Sequence, residues 1–228
     1  MNAPDGTLLT DDFNKDHPHH RGISWTWPDV RVGGKHGDMW NLHGSFQERF
    51  VAWTAQDTGP DSARLGIENG WFDGADKFAK ETVDITVQPV KDNRRVLDFT
   101  LAFEAVDAPV TVVGTSEGNK GYGGFAMRFA PRDGGSKKTL ITTDTGVAKG
   151  DGVLAKHAWA QISGTFGGKS AGARIDDDPA NPGYPENGWL MRHGFGLLNV
   201  SYPGLTPIVL EKGKPLTLHY RVTLFAGA

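Results

Sequence analysis

The stretch RVLDFTLAFEA, residues 95–105, places Leu97, Phe99, Leu101 and Phe103 at every second position, with Asp98, Thr100, Ala102 and Glu104 between them. A period of two puts each set on one face of a β-strand, whereas a helix would scatter both sets around its axis. One face is core and the other is polar. The same alternation runs through TVDITVQPV (82–90) as Val83, Ile85 and Val87, and through KPLTLHYRVTLF (214–225) as Leu216, Leu218, Tyr220, Val222 and Leu224. In GGFAMRFAP (123–131), Phe125, Met127 and Phe129 share a face with Arg128 opposite, and in HAWAQISGTF (157–166) Trp159 and Gln161 fall on one side. Arg128 and Gln161 are thereby candidates to face a groove. Only DGADKFAKE (73–81) reads as a short helical turn. Antiparallel strands with so little helix predict an all-β antiparallel β-sandwich, a single domain over residues 1–228.

The turn residues agree. Thirty-one glycines and 13 prolines punctuate short runs rather than forming one tract, as expected where many strands are joined by turns. Long Gly- and Pro-rich connections at 28–45, 114–124 and 175–189 are read as walls of a site, because loops of that length on a β scaffold usually carry function. IDDDPANPGYPENGW (175–189) lacks the glycine spacing and terminal glutamate of a calcium-binding EF-hand loop and is read as a solvated acidic turn.

Composition narrows the function classes. Lys and Arg total 24 against 27 Asp and Glu, a formal charge of −3, with no basic block dense enough to follow a phosphate backbone, so nucleic acid is not expected as a partner. No apolar run approaches the ~20 residues of a membrane span, and the opening MNAPDGTLLT has neither a basic start nor an apolar segment, so no membrane association is expected. The chain has no cysteine, which removes disulfides and zinc–thiolate sites and fits either a cytoplasmic or a periplasmic setting.

The chemistry is concentrated in FNKDHPHHRGISWTWPDV, residues 13–30, which sets Asp16, His17, His19, His20 and Arg21 within six positions and follows them with Trp25 and Trp27. Histidine titrates closest to neutral pH and is a common metal ligand, so the run points to acid–base or metal chemistry, or to a turn with exposed imidazoles. Pro18 favours an extended preceding residue, and in a strand His17 and His19 would share a face while His20 points away. His17, His19, His20 and Asp16 are the candidate catalytic groups, with Asp16 orienting a histidine or instead pairing with Arg21. Trp25, Trp27 and Trp40 are candidates to stack on a sugar ring, or core residues. Arg21, His43 and Arg128 complete this candidate ligand-binding set. A metal would require His17 and His19 with a third ligand from His43 or Asp38; no metal and no cofactor is expected, because Pro18 stiffens the loop and no helical His-x-x-x-His pair is present.

Three stretches, DGTLLTDDFNKDHPHHRGISWTWPDV, GGFAMRFAPR and NPGYPENGWLMRHGFGLLNV, with the closing LTLHYRVTLFAG, resemble the bacterial family labelled PmoA-like, or DUF6807, over nearly the whole chain. The resemblance implies a β-sandwich of the galactose-mutarotase-like supersandwich type, with strands ahead of the histidine block that are short or missing here. It implies a small carbohydrate as ligand. In GWLMRHGFG it implies Arg192, rather than the adjacent His193, as the retained position. The expectation is a carbohydrate-active enzyme in which histidines and a carboxylate move protons on a sugar, glycoside or keto-sugar, as hydrolase, lyase or epimerase. The alternative is a carbohydrate-binding β-sandwich module without catalysis.

Overall fold

The computed structural model describes residues 1–12 and 14–227. The chain enters the fold through β1 (Ile23–Thr26), β2 (Asp29–Val32) and β3 (Lys35–Gly37), then runs through the long strands β4 (Phe46–Thr58), β5 (Ala63–Asp73), β6 (Asp76–Val87) and β7 (Arg94–Ala105). Shorter strands follow: β8 (Val110–Val113), β9 (Gly124–Arg128), β10 (Leu140–Thr143), β11 (Gly146–Val147) and β12 (Gly152–Lys156). The last six are β13 (Trp159–Phe166), β14 (Lys169–Asp177), β15 (Gly188–Arg192), β16 (Leu197–Ser201), β17 (Ile208–Leu210) and β18 (Leu216–Ala226). One layer is a nine-stranded sheet in the order β11-β10-β13-β14-β18-β7-β6-β5-β4. The facing layer is made of a five-stranded sheet, β1-β9-β16-β15-β12, and a four-stranded sheet, β17-β8-β2-β3. Every strand pairing is antiparallel.

The alternation in residues 95–105 sets the centre of this sandwich. Leu97, Phe99, Leu101 and Phe103 are buried and lie opposite Val222, Tyr220, Leu218 and Leu216 of β18, so the two strands present one continuous apolar face. From the facing layer Phe125 on β9 meets it: its ring stacks on Tyr220 at 4.4 Å and packs against Phe99 at 5.2 Å. Arg128 points out of the other side of the five-stranded sheet, where Ala126, Leu190 and Leu197 form a second, smaller apolar cluster with Trp40. Gln161 lies on β13 between Thr142 and Arg174 of the neighbouring strands, away from any groove that Arg128 borders.

Two sequence expectations change. Residues 73–81 are not a helical turn: the chain reverses at Gly74, where φ is +62°, and Asp76 begins β6, with Ala79 paired to Trp71 on one side and Ala105 on the other. Ladder bonds to both neighbours outweigh the local helical pattern of so short a segment. The acidic turn is not simply solvated, for Asp177 is buried and accepts bonds from the Asn181 and Asn187 side-chain amides at 2.7 and 3.0 Å.

The connection 114–124 is held against the 202–205 turn by backbone contact. The Gly114 N–H donates to the Gly204 carbonyl at 2.8 Å, and a Cβ on Gly114 would lie 2.7 Å from that oxygen and closer still to the Gly121 carbonyl. Backbone cannot move aside as a side chain can, so Gly114→Ala is expected to cost about 1–3 kcal/mol of unfolding free energy. Chemical denaturation reads this, and a wild-type midpoint would show that the two loops part freely.

Candidate functional site

Edge strand β1 leaves part of the nine-stranded sheet uncovered, and the loops on either side close over the gap. The result is a cavity of about 970 Å³. Its floor is Ile85, Leu97, Phe99 and Trp25; Trp40, Met39 and Leu42 come from the connection after β3, Thr10 and Asp12 from the N-terminal segment, and His19 and Arg21 from the histidine run. The connection 28–45 is thus a wall as the sequence indicates, and Tyr122 from 114–124 supports it by packing on Trp40 at 5.2 Å. Residues 175–189 do not border this cavity.

The histidine run is a turn rather than an extended strand. Pro18 takes the second position of a β-turn closed by the His20 N–H donating to the His17 carbonyl at 2.9 Å. Asn14 braces it, accepting from the His17 N–H at 2.9 Å and donating its amide to the His20 carbonyl at 3.0 Å. The turn stacks the His17 and His20 rings in parallel at 4.8 Å and sets His19 edge-on to His20 at 4.5 Å. His20 therefore converges with its neighbours instead of pointing away. It is 6% exposed, wedged against Trp40 at 5.8 Å, and its Nδ1 has no hydrogen-bond partner among the described residues. Burial, with His19, His17 and Arg128 nearby, lowers its pKa to about 3. Burial first, then His17, also lowers that of His19, which alone of the three imidazoles faces the cavity.

Asp16 is anchored by Arg128, one of whose terminal nitrogens donates to both carboxylate oxygens at 2.9 Å. Burial pushes the Asp16 carboxyl up, but the Arg128 and His17 contacts outweigh it and bring the pKa to about 2. His17 Nδ1 lies 3.1 Å from Asp16 but off the line a hydrogen bond needs, so the contact is electrostatic. Arg128 is 5% exposed and lies over the Phe195 ring at 4.6 Å. It works behind the turn and does not border the cavity. Arg21 pairs with Asp12 at 2.8 Å, not with Asp16.

Two glutamates that sequence reasoning passed over lie at the cavity, Glu48 on its border and Glu81 buried beneath it. Glu81 on β6 has 0% exposure, yet it accepts three N–H bonds: Trp25 Nε1 at 2.8 Å, Asn69 Nδ2 at 2.9 Å and Trp71 Nε1 at 2.9 Å. The same Asn69 amide also donates to Glu48 Oε1 at 3.0 Å, and Glu48 borders the cavity. Protein surrounds Glu48 on the sheet side while its residue stays open to solvent through the cavity. Burial, then Glu81, pushes its pKa well up; burial also raises that of Glu81, against the opposing hydrogen bonds. A signal was available: Glu81 continues the row Val83, Ile85, Val87 toward the core, where an unpaired carboxylate is out of place.

The remaining candidates are dispersed. Trp27 is a core residue with 0% exposure, its indole N–H given to the Tyr202 carbonyl at 2.7 Å and its ring against Phe103 at 5.0 Å, so no sugar reaches it. His43 is exposed and bridges by backbone to Asp38, whose carboxylate holds the Asn41 amide at 2.7 Å. Arg192 gives its Nη1 to the Gly152 carbonyl at 3.1 Å and has no place at the cavity, because β15 is two strands removed from β9 and three from β1. Among the described residues, no three His, Asp or Glu side chains are arranged to hold a metal ion.

The architecture is an all-β antiparallel sandwich with a loop-walled cavity at one edge of its smaller layer. The chain belongs to the family of unknown function DUF6807, matched over residues 1–228. No curated protein matches it by sequence. Among solved structures it is similar to a GalM/aldose epimerase homologue from C. elegans, at a TM-score of 0.42 and 7% identity over 100% of this chain and 90% of that one. It is also similar to a putative kojibiose phosphorylase from the human microbiome, at a TM-score of 0.40 and 9% identity over 91% of this chain and 23% of that one. Among the described residues no helix is long and apolar enough to cross a membrane.

Proposed function

We propose that the cavity binds a carbohydrate, as a glycoside or keto-sugar, and that His19 moves a proton on it. The observation that carries this reading is the meeting, in one cavity of about 970 Å³, of a half-buried imidazole with the indoles of Trp25 and Trp40. That volume lies at the upper end of the roughly 300–1,000 Å³ of small-molecule sites. The half-buried Trp25 indole suits the apolar face of a pyranose, Trp40, 4% exposed, backs the wall, and Ser24, Thr26 and Gln47 supply hydrogen-bonding partners for hydroxyls. Because burial lowers its pKa, His19 is neutral at pH 7 and can accept a proton from water, from a sugar hydroxyl or from carbon beside a ketone. Asp16, ionised down to about pH 2, is too weak a base for that task and serves to fix the turn through Arg128.

The test is a panel of glycosides and 3-keto-glycosides. Wild-type protein is expected to convert at least one, and His19→Ala to reduce that rate about 10²–10⁴-fold with its thermal midpoint unchanged. Saturable binding with no product from any member would instead support the binding-module alternative, and wild-type turnover in His19→Ala would remove the proposed base.

A further inference from the structure

We infer that Glu48 is the proton donor of this cavity, a neutral carboxylic acid at pH 7 whose proton is retained by hydrogen bonding to the buried Glu81 carboxylate. The inference rests on the proposed carbohydrate site and names its acid. Geometry assigns the proton. Glu81 has no solvent, yet two indole N–H groups and one amide converge on its two oxygens, a donor set that stabilises an anion and gives a neutral acid too few acceptors. Glu48 receives one amide bond from Asn69, the residue that bridges it to Glu81. Two carboxylates so placed cannot both ionise cheaply, and the less supported one keeps the proton. Burial and the Glu81 charge raise the Glu48 pKa in accord with this.

Among the described residues, the cations that border the cavity are bonded to groups other than Glu48. The cavity holds His19, which is neutral at pH 7, Arg21 paired with Asp12, Asp11, and the Met1 ammonium bonded to Thr10. Trp71, opposite Glu48 on β5, and Trp25 are uncharged, and Lys80 leaves from the other face of β6 to meet Glu68. In the step assigned to it, the Glu48 O–H bond breaks as a new O–H bond forms on the leaving oxygen of the sugar, and the C–O bonding pair passes to that oxygen. His19 takes the balancing proton from the attacking water or the adjacent carbon. A cavity whose carboxyl pair already carries one negative charge favours a neutral sugar over a sugar acid.

Carboxyl-carbon NMR of protein labelled at glutamate reads the proton without any ligand. One carbon is expected to titrate far above the ordinary glutamate value of about 4.3, to be missing in Glu48→Gln, and to fall toward that value in Glu81→Gln, a shift that altered packing alone does not produce. Glu48→Gln, whose amide can still donate to Glu81, is expected to bind the panel glycosides and to convert them about 10²–10⁴-fold more slowly. An ordinary titration for Glu48, or wild-type turnover in Glu48→Gln, would overturn the inference. If the wild-type protein itself converts nothing, the enzymatic reading fails and the donor role with it, a result distinct from the other two.

Discussion

As pH falls from 6.5 toward 3, the protein is expected to lose on the order of 4 kcal/mol of stability through His20 alone. In the unfolded chain this imidazole takes up a proton near its ordinary pKa of 6.5; in the folded protein it does so only near 3. Over that window the unfolded state binds more protons, so acid favours unfolding, and the contribution is fully present above pH 6.5. Burial is the largest cause, and the groups facing the ring are His19, His17, Arg128 and, opposing them, Asp16. The Asp16 pKa, held near 2, adds a loss of the same sign at lower pH. His20→Phe keeps a ring against His17 and Trp40 without a titrating nitrogen and is expected to flatten the slope between pH 6.5 and 4. Denaturant melts across a pH series measure it. Equal slopes in the two proteins would place the acid sensitivity elsewhere.

Phe125→Ala is expected to lower the unfolding free energy by about 3–5 kcal/mol. The ring is fully buried where the two layers meet, in contact with Tyr220 and Phe99, and parallel to Trp25 with centroids 6.2 Å apart. Removing it leaves a cavity among large rings fixed on separate sheets, which cannot close over the space without bending β9 or β7. Against the 5–15 kcal/mol typical of a domain, this is a large share of the total. The effect also reaches the site, because Trp25 loses the ring behind it while its N–H holds Glu81. Calorimetry or denaturant titration gives the first number. A loss below 1 kcal/mol would mean that the layers repack readily.

The same turn gives its adjacent histidines different surroundings. His19 faces the cavity, whereas His20 is buried in the turn, so His19 substitutions are expected to act on the proposed activity and His20 substitutions on stability. The sequence suggested equivalent roles for both. Pro18 by itself favours an extended run, and an extended run sends His19 and His20 to opposite faces. Asn14 overrides that expectation: its side chain satisfies one backbone group at each end of the turn, and the cost of closing it is offset locally.

The alternating runs and the turn residues were sufficient to indicate an antiparallel sandwich, because side-chain period and backbone hydrogen bonding are properties of short segments. The histidine run, Trp25 and Trp40 stood out as candidates for a related reason, the concentration of polar and aromatic groups in a short loop, and of these His19, Trp25 and Trp40 border the cavity. Which tryptophan is core, which imidazole faces the cavity, and which acid carries the proton were decided only by tertiary structure. Trp25 and Trp27 are two residues apart and share a strand-like side, yet β1 ends at Thr26 and Trp27 continues toward the four-stranded sheet, where it is sealed between layers. Glu48 and Glu81 are 33 positions apart and meet because β4 and β6 both flank β5, with Asn69 between them. Their shared proton depends on desolvation and on three donors brought from β1 and β5, and such quantities exist only once distant segments exclude water together.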